Sequence, residues 1–299
     1  MNLVSKEKLE KEAWKFYLVI PLWLVYFFFL PKIYSSHKII FFLYIFFIGN
    51  FLFCLLGYLF HETWHEYLSN IDNKKLYYIY GILIFMDPQI YRIVHGSHHS
   101  KVHTYDDIEF YPIGEIKHRT FKIFYRIFEF IIGAAFIIGL QSLILPNNPK
   151  TKQKFSVFSH LISIFLILCI YSTIAALSII FFKIEVTQLI ICYLLSIWMH
   201  SFFLHQSQLS EHGFLLKEGS YKERSLITRN IAPFGFVEKL FLILTHNDPK
   251  EHVFHHTLPG EYLRPFPNTV PLPKEANIVT LKKYFKLMLR GISGEDLSE

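Results

Sequence analysis

Four long apolar runs dominate this sequence and limit what the chain can fold into. They cover roughly residues 16–30, 39–60, 155–182 and 186–204. A helix needs about 20 mostly apolar residues to cross the hydrocarbon core of a bilayer. A water-exposed surface is hard to build from so many apolar side chains. The runs therefore predict an all-α, multi-pass membrane protein with four transmembrane helices.

Composition and charge agree with a membrane protein. Hydrophobic residues make up 52% of the chain and charged residues 18%, with 32 Phe and 18 Tyr. The formal net charge of +6 suits a basic cytoplasmic face against anionic lipid. No Lys/Arg stripe has the spacing of a groove-binding helix, so no nucleic-acid partner is expected. The three cysteines lie inside apolar runs and are interpreted as small buried hydrophobes.

Short polar links join the apolar runs in pairs. Pro31–Lys38 is predicted to form a turn between the first two, and Lys183–Glu185 between the last two. We therefore expect one membrane domain over residues 1–299, divided into four segments. They are a first transmembrane hairpin (16–60), a cytoplasmic or interfacial segment (61–154), a second hairpin (155–204) and a cytoplasmic helical segment (205–299).

The stretch 127–145 is ambiguous, because it is just long enough to span. Histidine clusters before and after it must share one side of the membrane if they share one site, which requires an even number of crossings between them. An interfacial position satisfies this requirement and keeps basic Lys150–Lys154 on the cytoplasmic side. Both termini and all histidine clusters are then expected to be cytoplasmic. A fifth span through 127–145 is the alternative.

The histidines are clustered rather than spread evenly. His61 and His65 form an HxxxH spacing, and two HxxHH spacings follow at 95–99 and 252–256. Residues three and four apart share one face of a helix, so each cluster can aim several imidazoles at one point. Imidazole suits iron, copper, zinc and nickel. Water-facing helix positions are usually filled by Lys, Glu or Gln, so this pattern predicts a metal site.

At these motifs the sequence resembles the membrane fatty acid desaturase superfamily, whose boxes here read HETWH, HGSHH and HVFHH. The approach Arg92–His95 is also similar, as are Ser210–Gly213, with its Glu-His-Gly, and His246-Asn247 shortly before the last box. The resemblance covers roughly residues 38–270 in organisation.

The resemblance implies a non-haem di-iron centre with O₂ as co-substrate. The implied ligands are His61, His65, His95, His98, His99, His212, His252, His255 and His256. Additional candidates are Asn247 (through water), Gln208, His246 and His103. Asp106 and Asp107, close behind the second box, are candidates for orienting the ligands, as are Glu62, Glu211 and Glu251. The metal centre itself would be the catalytic group.

Desaturation of a fatty acyl chain is the leading expected reaction. Hydroxylation or ketolation of a lipid, sterol, carotenoid or alkane would use the same boxes. A membrane metal transporter is a third interpretation, but transporters place polar ligands within the bilayer, whereas most of these histidines lie outside the runs. No GxGxxG fingerprint and no HPGG element are present, so electrons are expected from a separate ferredoxin or cytochrome b5 type carrier.

Overall fold

A computed structural model describes residues 14–65, 72–147, 155–246, 248–257 and 274–298. The described chain is mostly helical and carries almost no sheet. The α-helices, in chain order, are α1 (Trp14–Ser36), α2 (Lys38–Leu43), α3 (Asn50–Trp64), α4 (Asn73–Leu83), α5 (Pro88–Lys101), α6 (Arg119–Ile132), α7 (Ala134–Ile144), α8 (Val157–Phe182), α9 (Val186–His212), α10 (Tyr221–Leu226), α11 (Phe236–Leu244), α12 (Asp248–Thr257) and α13 (Leu281–Ile292). A π-helical turn, Tyr44–Gly49, joins α2 to α3, and two short strands, β1 (Arg229–Ile231) and β2 (Asn277–Val279), form a parallel pair.

Four helical stretches are long and apolar enough to cross a membrane: Phe16–Ser36, Lys38–Trp64, Val157–Phe182 and Val186–His212. Large apolar side chains on these stretches are exposed. Phe158 and Ile180 of α8, for example, are 74% and 70% exposed. Such surfaces are stable only in contact with lipid. The predicted all-α fold with four candidate membrane-spanning helices is confirmed.

The break between the first two spans is tighter than predicted. The sequence predicts a turn over Pro31–Lys38, but α1 continues through Pro31 to Ser36. The helix resumes at Lys38, with extended backbone at His37 alone. Proline inside a transmembrane helix is tolerated because neighbouring groups satisfy the freed carbonyl. Pro31 therefore does not end this helix.

The ambiguous stretch 127–145 is bent rather than straight. Helices α6 and α7 meet at 120°, with Gly133 between them at φ 75°. Few residues other than glycine adopt this backbone conformation. The bent pair is either one broken span or a re-entrant element, so its predicted interfacial placement stays a prediction.

The described chain divides into two compact units. The span unit comprises the described residues within 6–89 and 156–201, and the histidine unit comprises those within 90–155 and 202–299. In the span unit, the indole Nε1 of Trp23 donates to the carbonyl oxygen of Leu83 at 3.0 Å and to the Tyr171 hydroxyl at 2.8 Å. These bonds connect α1, α4 and α8.

A buried polar network connects three helical segments of the span unit. His200 Nδ1 lies 2.7 Å from Asn50 Oδ1, and His200 Nε2 lies 3.1 Å from the Tyr26 hydroxyl and 2.9 Å from Ser196 Oγ. All four side chains are almost fully buried. Gly49 is required here, because a Cβ at this position would overlap the Tyr26 hydroxyl and lie 2.5 Å from His200 Cε1.

The histidine unit has its own core, which positions the third histidine box. Arg229 of β1 is fully buried and donates to the carbonyl oxygens of Leu209 and Gly213 at 3.3 and 3.0 Å. Its neighbour Asn230 accepts through Oδ1 from the backbone N–H of Val253 at 3.2 Å. The buried strand β1 therefore fixes the helix that carries His252, His255 and His256.

Candidate metal centre

Helix α5 carries the second histidine box. It begins at Pro88, a residue favoured in the first turn because its missing N–H has no helical partner there. His95, His98 and His99 lie in its last two turns. His95 and His98 are buried. Two of the three imidazoles of this HxxHH box therefore face away from solvent.

Three imidazole nitrogens form a first group within the histidine unit. His99 Nε2 lies 3.1 Å from His95 Nε2 and 3.0 Å from His255 Nε2. These atoms come from two helices, α5 and α12, that are distant in sequence. Potential ligand atoms of all three residues lie within 4.8 Å of one another.

A second group contains His98, His212 and His256. His256 Nε2 lies 3.3 Å from both His98 Nε2 and His212 Nε2. All three side chains are buried. His212 ends α9, so this group joins three helices. A related set contains Glu211, His212 and His252.

The nitrogen spacing fits a bound metal better than hydrogen bonding alone. A neutral imidazole has a single N–H, yet Nε2 of His256 faces two other Nε2 atoms. An imidazole nitrogen binds a first-row ion such as zinc at about 2.0–2.1 Å, so neighbouring ligand nitrogens lie about 3.0–3.4 Å apart. The observed separations of 3.0–3.3 Å match this range.

The protonation state of His256 is also the one that metal binding requires. Burial lowers the pKa of His256 well below its ordinary value, and the neighbouring His98 and His252 imidazoles act in the same direction. The ring is therefore neutral, which is the form that binds a metal.

Two carboxylates, one buried and one partly buried, contact the outer ring nitrogens (Nδ1) of two of these histidines. Asp107 Oδ2 lies 2.7 Å from His98 Nδ1, and Glu109 Oε2 lies 2.9 Å from His95 Nδ1. Burial opposes the charged form of His98, but the carboxylates of Asp107 and Glu109 outweigh it and raise the pKa of His98. A carboxylate on the outer nitrogen orients an imidazole and increases its strength as a ligand.

The loop that follows α5 holds both carboxylates in place. Asp107 Oδ1 accepts from the backbone N–H of Glu109 at 3.1 Å, while Oδ2 contacts His98. The side-chain amide of Gln141 donates to the carbonyl oxygens of Ile108 and Glu109, each at 3.2 Å. These hydrogen bonds hold the loop, and with it the two carboxylates, beside His95 and His98 of α5.

Comparison with known proteins identifies the family. The family model described as fatty acid desaturase matches residues 36–269, which is most of the chain. The chain belongs to the fatty acid desaturase family. No curated protein and no solved structure matches it. The family implies an oxidoreductase, and the predicted resemblance to the membrane fatty acid desaturase superfamily is confirmed.

The first box of this desaturase family member lies in the span unit. His61 and His65 occupy the end of α3, with ring centroids 4.7 Å apart. His61 Nδ1 lies 3.1 Å from Glu62 Oε1. The HxxxH spacing therefore brings the two imidazoles together, and a buried carboxylate contacts one of them.

Other predicted site residues lie outside the two histidine groups. Asp106 is exposed. Gln208 Oε1 lies 3.2 Å from His205 Nδ1, and His103 Nε2 lies 3.0 Å from Thr228 Oγ1. His246 follows α11 in a left-handed conformation. Asn247, the side chain of Glu251 and Lys150–Lys154 lie outside the described residues.

Glu109 was not predicted from the sequence to lie at this site. It lies two residues after Asp107, in a loop without helical spacing, so no periodicity relates it to His95. The available signal was an Asp-x-Glu pair shortly after a histidine box, since carboxylates accompany metal-bound histidines.

Replacing Asp107 by Asn should weaken metal binding. The amide keeps a hydrogen-bond acceptor for His98 but removes the negative charge. We expect metal affinity to fall about 10–100-fold, measured by competition with a chelator. The neighbouring Asp106→Asn is the matched control, because Asp106 is exposed. Equal losses in both variants would contradict the role of Asp107.

Proposed function

We propose that this chain is an O₂-dependent desaturase that introduces a double bond into a fatty acyl chain at a histidine-ligated di-iron centre. The observation that supports this most directly is the pair of Nε2 groups, His95–His99–His255 and His98–His212–His256. Two groups of this kind suit two metal ions. Family membership supports oxidoreductase chemistry on lipids.

Three further histidines complete the proposed ligand set. One lies beside the second nitrogen group, and two belong to the HxxxH box of the family motif. His252 lies 3.4 Å, through Nδ1, from Glu211 Oε2, beside His212. His61 and His65 enter through the HxxxH box at the end of α3. Together these give nine imidazole ligands for two irons.

The chemistry of the ligand set favours iron over hard ions, because imidazole suits iron whereas carboxylate and carbonyl oxygens suit magnesium and calcium. Two irons, when bound, would use O₂ and two external electrons to remove hydrogen from an unactivated CH₂ group. The chain's own contribution is orientation: Asp107 and Glu109 fix the rings of His98 and His95. The ring of Phe110 packs against these ligands, with its centroid 5.2 Å from that of His98.

Helix α5 and helix α12 are separated in sequence by two candidate spans, α8 and α9. With the bent pair α6–α7 as a re-entrant element, these two spans are the crossings between the boxes, and an even number of crossings puts both boxes on one side of the membrane. We place that side in the cytoplasm because of the basic composition of the chain. A protease-cleavable tag after the C-terminus, digested in sealed inverted and right-side-out vesicles, tests this orientation. Cleavage in right-side-out vesicles would contradict it.

The reaction consumes two electrons, and the proposal includes a separate one-electron donor of ferredoxin or cytochrome b5 type. Hydroxylation or ketolation by the same centre is the alternative reaction. Both reactions require O₂ and the donor, and they differ in the product: desaturation removes two hydrogens, whereas hydroxylation adds one oxygen.

The decisive experiment combines metal analysis with lipid analysis. The full chain, purified in detergent, should contain about two irons by elemental analysis, as the two nitrogen groups suggest. Mass spectrometry of lipids from an expressing host should show loss of two hydrogens from an acyl chain. Gain of oxygen would replace desaturation by hydroxylation, while zinc alone or unchanged lipids would contradict the proposal.

A further inference from the structure

A buried acid–histidine pair lies in the histidine unit outside the two nitrogen groups. Glu129 Oε1 of α6 lies 3.2 Å from His205 Nε2 of α9, and the two side chains are 4% and 3% exposed. The amide oxygen of Gln208 lies 3.2 Å from the other ring nitrogen, Nδ1. The contact between Nε2 and the carboxyl group is a hydrogen bond, so one proton lies between the Glu129 and His205 side chains.

Glu129 also lines a small cavity that is partly open to solvent and has room for about one water molecule. Tyr111 and Tyr125 line the same cavity. Among the described residues, the buried hydroxyl of Tyr125 has no hydrogen-bond partner. A cavity with several polar groups on its wall suits water. It therefore offers Glu129 a route for proton exchange with solvent.

The cavity borders the second nitrogen group. Phe110 forms part of its wall, and the Phe110 ring centroid lies 5.2 Å from that of His98 and 4.8 Å from that of His212. His205 also precedes His212 by about two turns on α9. The acid–histidine pair is thus close to the candidate metal centre without contacting its ligands.

Oxidation of a lipid at this centre consumes protons. Desaturation converts CH₂–CH₂, O₂, two electrons and two protons into CH=CH and two waters, and hydroxylation converts C–H with the same O₂, electrons and protons into C–OH and one water. The electrons come from the donor protein and the protons from solvent. We propose that Glu129 and His205, supplied through this cavity, are the proton-supply site of the centre. This inference rests on the proposed function, and it applies to either reaction.

Glutamine at position 129 separates this role from a structural one. Its amide can still hydrogen-bond His205, so a pair that only holds α6 against α9 would be preserved. The glutamine side chain does not act as an acid or a base near neutral pH. Glu129→Asp keeps the acid, and the exposed Glu115→Gln, in the same unit, is the matched control.

The first test needs no metal. Infrared difference spectra of the metal-free full chain, recorded over a pH titration in H₂O and D₂O, should show the carbonyl band of a protonated carboxylic acid. The band should shift in D₂O, disappear in Glu129→Gln and persist in Glu115→Gln. A band unchanged in Glu129→Gln, or no D₂O-sensitive band, would overturn the assignment of an exchangeable proton to Glu129.

The second test uses the iron-loaded enzyme in an expressing host and in detergent. Product formation in Glu129→Gln should fall about 10²-fold, with unchanged iron content and less product per electron consumed. Glu129→Asp should recover part of the rate, and added formate should partly restore Glu129→Ala. Full activity in Glu129→Gln would overturn the proposal. Unchanged lipids in cells expressing the wild-type chain would instead contradict the proposed function, while the infrared result would stand independently.

Discussion

Replacing His98 by alanine is expected to remove lipid product and metal together while leaving membrane insertion intact. His98 contributes Nε2 to the second nitrogen group, 3.3 Å from His256 Nε2, and its outer nitrogen is held by Asp107. Alanine removes a ligand and leaves the buried carboxylate of Asp107 without its partner. The loss of metal affinity should therefore exceed the roughly 10–100-fold cost of removing an outer partner alone.

The matched control for this variant is His37→Ala. His37 is exposed and its side chain makes no helix-capping hydrogen bond. Iron content, lipid product and recovery in the membrane fraction should be measured for both variants. Retention of iron and product in His98→Ala would remove the second box from the ligand set, and failure of both variants to insert would contradict the assignment of His37 to the surface.

The second large effect is expected in the span unit. Gly49→Ala would push a methyl group against the Tyr26 hydroxyl and to within 2.5 Å of His200 Cε1. Both atoms belong to the buried network with Asn50 and Ser196, so neither can move without breaking a hydrogen bond. Overpacking of this kind costs about 1–3 kcal/mol, and unsatisfied buried groups add to it. A clear drop in thermal stability in detergent should follow.

Gly139→Ala is the comparison. Gly139 lies inside α7, and a Cβ there would meet no atom within 4 Å. Alanine in a helix interior is favoured over glycine by about 0.5–1 kcal/mol, so this variant should be unchanged or slightly stabilised. Equal destabilisation of both variants would show that the effect at Gly49 is not caused by its close contacts.

The spans could be predicted because a bilayer imposes a length and an apolar composition on any helix that crosses it. The link Lys183–Glu185 was predicted for the same reason, since it is the polar interruption between two apolar runs, and α8 ends at Phe182 while α9 begins at Val186. Pro31 was misjudged because helix-breaking tendencies measured in water are weaker in a membrane helix.

The candidate site was predictable where helix periodicity carried the information. His95 and His99 lie four residues apart on α5, and their Nε2 atoms are 3.1 Å apart. Glu109 could not be found this way, because a loop set its position. The pairing of β1 with β2 also escaped, since strands of three residues are too short to show an alternating pattern. Similarly, Asn50 and His200 are far apart in sequence, and only the fold shows that they meet.

The continuous segment from His95 to Glu109 contains three histidines of the candidate centre and two carboxylates that contact them. It supplies His95, His98 and His99 on a helix and the carboxylates that contact two of those rings on the loop directly after it. The supporting acids therefore lie close to their ligands in sequence, while Gln141 of α7 holds the loop that carries them. Such a stretch is suited to transfer into a designed protein as one continuous segment. Placed at the end of a designed helical hairpin, this stretch would carry the carboxylates for two of its histidines with it. Inserting one residue between Asp107 and Glu109 would move Glu109 away from His95 while leaving the contact between Asp107 and His98.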